Sequence, residues 1–235
     1  MVAVGGEPSA RAALAATATL PIVATFSTDP VASGLVASLS RPGGNLTGIT
    51  DLTSTLEPKR LELLRELVPQ VTTVAVVLNP TFPLATQQLK TVQEAARAIG
   101  LQLYILRAST DEEIEQAFAS LTQLHLPAFA VASDPFLLTR RDKIVDLAAR
   151  HAVAGMYFFC DYALAGGLIS YGTDLADVYQ QIGVYAGRVL KGEKPADLPI
   201  IQPTKFELVI NMKTAKSLGL TIPQSILLRA DEVVE

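Results

Sequence analysis

The sequence predicts an α/β protein in which parallel sheets are covered by helices and the chain forms two lobes. Apolar, strand-like runs alternate with segments of helical periodicity along the 235 residues, and nearly every position of those runs is apolar. One kind of junction also occurs twice: an apolar run leads into Asp-Pro and then a helix-like segment, at Asp29 and at Asp134. Ligands of open α/β sheets collect beyond the carboxyl ends of the strands, so the two junctions predict a cleft lined by both lobes.

The amino-terminal part of the chain predicts strands of a first lobe. A Gly5-Gly6 turn precedes an Ala-rich helix from Ala10, and a second helix is predicted over Val31–Leu39 after Asp29-Pro30. The polar stretch Asp51–Thr55 is predicted as the first crossing between the lobes. The strands predicted here are Val2–Val4, Ile22–Phe26 and Leu46–Thr50.

From residue 71 onward a regular strand–helix alternation predicts the second lobe. The helix Leu84–Ile99 closes with Gly100, and Thr110 with Glu113 forms a capping box at the start of the next helix. The predicted strands are Val71–Leu78, Leu101–Leu106, Pro127–Ala132, Val153–Phe159 and Leu168–Tyr171.

After Tyr171 the chain is predicted to return to the first lobe through a long helix capped by Thr173. Phe206–Ile210 is strand-like, and the sequence leaves its lobe open. The predicted division is therefore residues 1–50 plus about 172–235 for the first lobe with the hinge crossings, and residues 51–171 for the second.

Composition narrows the function classes. A 49% apolar content suits a sizeable core, while a net charge of -4 without a basic cluster argues against a nucleic-acid partner. No run reaches the roughly 18 apolar residues of a membrane span, and the basic start of an export signal is absent. The single cysteine and two histidines lack metal-ligand spacing, so neither a metal site nor a cofactor is predicted.

Several separated segments resemble one known family. The sequence is similar to the extracytoplasmic solute-binding proteins of ABC transporters in the tryptophan/tyrosine-type branch, and the resemblance covers essentially the whole chain. The matching segments are residues 35–48 (LVASLSRPGGNLTG), 59–67 (KRLELLREL), 133–136 (SDPF), 165–172 (AGGLISYG) and 211–220 (NMKTAKSLGL).

This resemblance implies a two-lobed periplasmic-binding-protein-like fold of type I that closes on a small solute between its lobes. It also implies ABC permease subunits as partners and a periplasmic or lipid-anchored extracytoplasmic location. Full-length members carry a signal peptide and a complete βαβ unit before the strand that here begins at Met1. The expectation is therefore an incomplete, less stable first lobe and poor solute binding.

The expected ligand is amino-acid-like, with an aromatic or hydrophobic side chain as one option, and candidate contacts for it follow from these positions. Asp134 is predicted to accept from an ammonium group, with Asp29 across the cleft, and the turn containing Gly6 and Ser9 is predicted to donate to a carboxylate. The structural alternative is that each Asp only caps a helix. Aromatic walls are expected from Phe136, Phe159 and Tyr171, for which core packing is the alternative.

Two other function classes are alternatives for this chain, and the first of them, a repressor sensor domain, shares the fold. The sensor domain of a repressor would need a helix-turn-helix and a basic patch before the first strand, and neither is present in the sequence. A flavodoxin-like or hydrolytic α/β enzyme would need a nucleophile motif or a metal set, and the sequence offers none. A binding protein without catalytic activity is the function that the sequence favours.

Overall fold

A computed structural model describes residues 1–51 and 53–235. The strands are β1 (Val2–Ala3), β2 (Ile22–Phe26), β3 (Leu46–Thr50), β4 (Thr73–Leu78), β5 (Gln102–Arg107), β6 (Ala128–Val131), β7 (Ala154–Tyr157), β8 (Ile169–Thr173), β9 (Phe206–Asn211) and β10 (Glu232–Val234). The α-helices are α1 (Gly6–Ala16), α2 (Glu57–Leu67), α3 (Ala85–Ala98), α4 (Asp111–Gln123), α5 (Pro135–Thr139), α6 (Arg141–Arg150), α7 (Cys160–Leu164), α8 (Leu175–Leu190), α9 (Met212–Ser217) and α10 (Gln224–Leu227). Short 3-10 helices lie at Thr53–Leu56 and Pro195–Asp197.

The chain forms two compact units and passes three times from one to the other. The first unit comprises residues 1–55 and 173–206, and the second comprises residues 56–172 and 207–235. This α/β architecture of strands alternating with helices agrees with the predicted fold class. In the part of the chain that the structure describes, no helix combines the length and hydropathy that crossing a membrane demands.

The first unit contains a parallel sheet in the order β1-β2-β3, with helices on both faces. Alternate residues of β2 point to opposite faces. Ile22 and Phe26 pack in a cluster with Ala10 and Ala13 of α1. Val23 belongs to a second cluster, on the α8 side. That cluster also contains Ile49, Val178, Ile182, Tyr185 and Leu198.

The second unit contains a seven-stranded sheet in the order β10-β9-β8-β7-β6-β4-β5. The pairs from β5 through β4, β6 and β7 to β8 are parallel, so the carboxyl ends of these strands share one edge. The strands β4, β6 and β7 are buried along nearly their whole length, which explains why they are apolar at almost every position.

Two local predictions are confirmed in the second unit. The hydroxyl of Thr110 accepts a hydrogen bond of 3.2 Å from the amide of Glu113, as a capping residue does. Gly100 follows α3 with a φ of 70°, the left-handed conformation that favours glycine at the end of a helix.

The helix predicted over Val31–Leu39 is wrong, because this segment forms consecutive turns. Gly34 has a φ of 72°, which interrupts a right-handed helix after one turn. The next two amides, of Leu35 and Val36, both return to the carbonyl oxygen of Pro30. The Asp29-Pro30 junction thus begins a turn and not a helix.

The cap predicted for α8 is also corrected. Asp174, and not Thr173, accepts the hydrogen bond from the amide of Asp177, at 3.0 Å. Thr173 is instead the last residue of β8, and its hydroxyl donates to the carbonyl oxygen of Asp51. Both residues belong to the first unit. The bond therefore joins the segment where the chain leaves this unit, near residue 55, to the segment where it returns, at Thr173.

The carboxyl-terminal segment differs from the predicted division. Residues 207–235 group with the second unit, whereas the sequence placed about 172–235 with the first lobe. The reason is that β9, which includes the strand-like stretch Phe206–Ile210, lies between β8 and β10 in the seven-stranded sheet.

Candidate functional site

The shared carboxyl edge of the second sheet collects buried polar side chains. Asn79 follows β4, and Ser133 with Asp134 follows β6; because Val77 pairs with Val131, these residues are neighbours across the two strands. All three are buried. We call residues Ser133 and Asp134, which connect β6 to α5, the Ser133–Asp134 junction.

Asp134 is held through both carboxylate oxygens. Its Oδ1 accepts from the amide of Leu137 at 2.8 Å and so caps α5, and its Oδ2 accepts from Nδ2 of Asn79 at 3.2 Å. The Oδ1 of Asn79 in turn accepts from the amide and the hydroxyl of Thr81. The capping role considered for Asp134 is therefore present, together with a side-chain partner that the sequence analysis did not identify.

Ser133 is held by three buried side chains from two helices. Oε1 of Glu57 accepts from the Ser133 amide at 3.3 Å, and Nη1 of Arg60 donates to the Ser133 hydroxyl at 3.0 Å. Nε2 of Gln88, on α3, donates to the Ser133 carbonyl oxygen at 2.5 Å. We call these four residues the Ser133 network. Backbone and side chain of Ser133 are thus both fixed.

Burial shifts the pKa of both carboxylates at this edge. Removal from water raises the pKa of Glu57 from 4.5 to about 7, against the opposing effects of the Arg60 charge and the Ser133 amide. Burial likewise raises the pKa of Asp134, and the hydrogen bonds from Leu137 and Asn79 oppose that rise. Oε2 of Glu57 is buried without a hydrogen-bond partner among the described residues. The protonation state of Glu57 is thus sensitive to pH near neutrality.

The three predicted aromatic contacts differ in accessibility. Phe159 is only 5% exposed and its ring centroid lies 5.1 Å from that of Phe158, as in core packing. Phe136 is half-buried, with the Arg140 guanidinium 5.0 Å from its ring centroid. Tyr171 is also half-buried and packs against the apolar core of the second unit. Phe136 and Tyr171 therefore retain more accessible surface than Phe159.

In the first unit, the predicted anion-binding turn uses two of its amides internally. The amides of Gly5 and Gly6 both donate to Oγ1 of Thr25, at 3.2 and 3.1 Å. Ser9 is half-buried, and its hydroxyl donates to the carbonyl oxygen of Gly6 at 2.9 Å. The single proton of the Ser9 hydroxyl is thereby used within the turn as well. The donors predicted for a carboxylate are thus narrowed to the later amides of the first turn of α1.

Asp29 is exposed and follows the carboxyl end of β2. It therefore lies at the same edge of the first sheet as the turn after β1. Its Oδ1 accepts from the amides of Val31 and Ala32, at 2.8 and 3.3 Å. The nearby buried carboxylate is Glu7, which pairs with Arg11 at 2.6 Å and accepts from the Thr28 hydroxyl at 3.0 Å. The first unit thus contains a second polar edge, with Gly6, Ser9 and Asp29 on it.

Sequence reasoning missed Glu57, Arg60, Asn79 and Gln88 as part of this site. The available signal was in α2, where Arg60 precedes Leu64 by four residues and Leu67 by seven, and so shares their apolar face. A charged residue on a buried face requires a polar partner, which α2 alone does not reveal. Asn79 gave a weaker signal, as the polar residue directly after an apolar strand.

Comparison with proteins of known sequence identifies a related binding protein. A tyrosine-binding protein from Clostridioides difficile is 30% identical over 213 residues, which is 91% of this chain and 61% of that protein. The chain therefore spans less than two thirds of the length of this relative.

Solved structures agree with the sequence comparison. The structure of an ABC domain in complex with L-Trp from Streptococcus pneumonia superimposes with a TM-score of 0.87 at 29% identity, over 99% of this chain and 78% of that one. A LacI family transcriptional regulator from Bifidobacterium animalis gives a TM-score of 0.62 at 13% identity over 88% and 74%, a likeness of fold alone. The fold is thus of the periplasmic-binding-protein type I.

The family comparison covers the chain from end to end. The sequence pattern described as "ABC transporter substrate binding protein" matches residues 1–234. Together with the α/β units and the polar carboxyl edges described above, this match shows that the chain belongs to the family of ABC transporter substrate-binding proteins.

Proposed function

We propose that this chain is the solute-binding component of an ABC importer and that its ligand is a free aromatic α-amino acid. The observation that carries the proposal is that two relatives of nearly equal similarity have aromatic amino acids as ligands, tyrosine in one and L-Trp in the other. Each comparison covers more than nine-tenths of this chain. The LacI family likeness supports the fold and gives no support to a regulator.

The chemistry of the two carboxyl edges supports this ligand class. Asp134 supplies an anionic acceptor for an ammonium group, and its two internal hydrogen bonds keep the carboxylate in one orientation. In the first unit, amides at the start of α1, the helix that contains Ser9, supply donors and a favourable dipole for a carboxylate. Asp29 is proposed as a further polar contact near Gly6, and aromatic surface is proposed from the half-buried Phe136 and Tyr171. The buried Phe159 is left out of the proposed contacts. That one ligand contacts both units stays a prediction.

The proposed function requires no catalytic step, cofactor or metal. Residues 1–51 and 53–235 contain no group of three or more His, Cys, Asp and Glu side chains placed to hold a metal ion. As a member of its family, the protein is proposed to act outside the cytoplasm, in the periplasm or lipid-anchored, and to deliver its solute to ABC permease subunits.

Binding is tested by calorimetric titration and thermal shift with L-tryptophan, L-tyrosine and L-phenylalanine. A ligand at one hundred times its Kd stabilises the native state by about 2.7 kcal/mol, which gives a measurable rise in Tm. Two matched probes separate the recognition elements: indole-3-propionate lacks the ammonium group, and tryptamine lacks the carboxylate. We expect both to bind more weakly than L-tryptophan. The absence of a shift with every standard amino acid would contradict the proposed ligand class.

A further inference from the structure

Arg60 occupies an unusual position among the strand ends of the second unit. Its Nη1 donates to the Ser133 hydroxyl beyond β6, and its Nε donates to the carbonyl oxygen of Tyr171 in β8, at 2.7 Å. Between these strands lies β7, and the Arg60 guanidinium carbon is 6.0 Å from the ring centroid of Phe158, the residue after β7. One buried side chain of α2 therefore links the segments that follow β6 and β7 to the middle of β8.

We propose that Arg60 is a positioning residue for ligand binding, which fixes the Ser133–Asp134 junction relative to Tyr171 so that Asp134 is presented in one orientation. This inference rests on the proposed function, because it assigns a role in the same site. Arg60 is not proposed to touch the ligand. It acts through the Ser133 hydroxyl and the Tyr171 carbonyl oxygen, to both of which it donates.

The planar guanidinium suits this role. Nε and Nη1 have a fixed geometry, so the bonds to Ser133 and Tyr171 set the distance between the Ser133–Asp134 junction and β8. A lysine ammonium is a point charge on a flexible stem and does not impose this geometry. The Arg60 side chain is only 2% exposed. Stability alone does not explain a buried charge well, because proteins in which apolar residues replace a buried ion pair are often at least as stable.

The sequence position of Tyr171 adds a second consequence. It lies two residues before Thr173, where the chain passes into the first unit, and Glu57 lies two residues after Thr55, where the chain enters the second. The Ser133 network thus joins the candidate ligand junction to residues beside two crossings of the chain. Arg60 thus links the backbone at Tyr171 directly to the side chain of Ser133.

The test compares Arg60→Lys with Leu121→Ala in the full 235-residue chain. Leu121 is a fully buried residue of α4 in the same unit that contributes nothing to the Ser133 network, so it controls for a general loss of stability. We expect Arg60→Lys to weaken L-tryptophan or L-tyrosine binding at least tenfold, and Leu121→Ala to change the Kd less than twofold at a comparable loss of Tm. Equal effects on Kd would overturn the positioning role.

Hydrogen–deuterium exchange gives a readout that does not depend on ligand. Arg60→Lys is expected to accelerate exchange in peptides covering residues 132–138 and 168–173, beyond the acceleration seen with Leu121→Ala. Unchanged exchange in both peptides would overturn the proposal. If the wild-type chain binds neither amino acid, the proposed function fails, and the exchange result alone decides whether Arg60 holds the junction.

Discussion

Nδ2 of Asn79 donates a hydrogen bond of 3.2 Å to Oδ2 of Asp134, across the ends of the adjacent strands β4 and β6. Since Oδ1 of Asp134 caps α5, the carboxylate is bonded on both sides while it keeps its remaining lone pairs. Asp134 is therefore more than a helix cap, because a neighbouring strand also fixes its orientation.

Asp134→Asn is predicted to weaken binding of an aromatic amino acid by roughly ten- to a hundredfold, since hydrogen bonds to charged groups contribute about 1.5–3 kcal/mol. The variant also loses Tm, because the introduced amide nitrogen faces the Nδ2 donor of Asn79. Calorimetric titration and thermal unfolding measure the two effects. Wild-type affinity in this variant would leave Asp134 with a capping role only.

Exchanging the two side chains between positions 79 and 134 separates the loss of affinity from the loss of Tm. In the double variant Asn79→Asp with Asp134→Asn, the amide at position 134 can donate to the new carboxylate, and the bonds to Thr81 and Leu137 can persist. We expect this double variant to regain Tm relative to Asp134→Asn, while its affinity for the ammonium-bearing ligand stays below that of the wild type because the charge has moved.

Glu57 gives the second unit a predictable pH dependence. Its pKa is about 7 in the folded protein and 4.5 for a glutamate exposed to water, so between these values the folded state binds more protons than the unfolded state. The stabilising contribution is complete below pH 4.5 and is lost as the pH rises through 7. For a shift of this size the loss is about 3 kcal/mol.

Glu57→Gln isolates this contribution, because glutamine has no titrating proton. Between pH 5 and pH 8, the free energy of unfolding measured with urea should fall more in the wild type than in the variant. Asp134, whose pKa is also raised, acts in the same direction in both proteins and cancels in the comparison. Parallel pH profiles would show that Glu57 is not the titrating group.

Gly6→Ala is predicted to destabilise the first unit by about 2 kcal/mol or more. The residue has a φ of 71°, which costs an L-residue roughly 1 kcal/mol, and an added Cβ would lie 2.8 Å from Oγ of Ser27. Gly34→Ala is the matched control, because its φ of 72° carries the same strain and its Cβ would meet nothing within 4 Å. Chemical denaturation should rank Gly6→Ala as clearly the more destabilising, and equal losses would exclude the Ser27 contact.

Ile182→Ala tests the packing of α8 on the first sheet. Ile182 is buried with Val23 and Ile49, so its truncation is predicted to cost about 2–5 kcal/mol. Val184, on the exposed side of the same helix, is the control, and Val184→Ala is expected to change the stability by less than about 0.5 kcal/mol. Urea denaturation distinguishes the two, and similar values would contradict this burial pattern.

Strands such as β2, β4, β6 and β7 were predictable from the sequence because they are apolar at nearly every position. The turn after Pro30 was not, since Val31–Leu39 has helical composition and only the positive φ of Gly34 shows that the helix stops. The assignment of β9 to the second unit could not be predicted either. Strand order depends on contacts between distant parts of the chain, and the partners of β9 are β8 and β10.

Within the candidate site, Asp134 was predictable and its partners were not. An apolar strand that ends in Asp-Pro is a local pattern, whereas Asn79 reaches Asp134 only through the pairing of β4 with β6. The Ser133 network is less local still, because Glu57, Arg60 and Gln88 approach Ser133 from two helices that precede it in the chain. The spacing of residues in the sequence does not predict such contacts between distant segments.

Each unit is built from two separate stretches of the chain, and this order affects folding during synthesis. Ile49 is made early, but Ile182, which covers it, follows only after residues 56–172, which belong to the other unit, have been translated. At the usual 5–20 residues per second this interval lasts roughly 7–27 s. During that time the α8-facing side of β2 and β3 has no covering helix on the nascent chain, so we expect this surface to be a substrate for ribosome-associated chaperones.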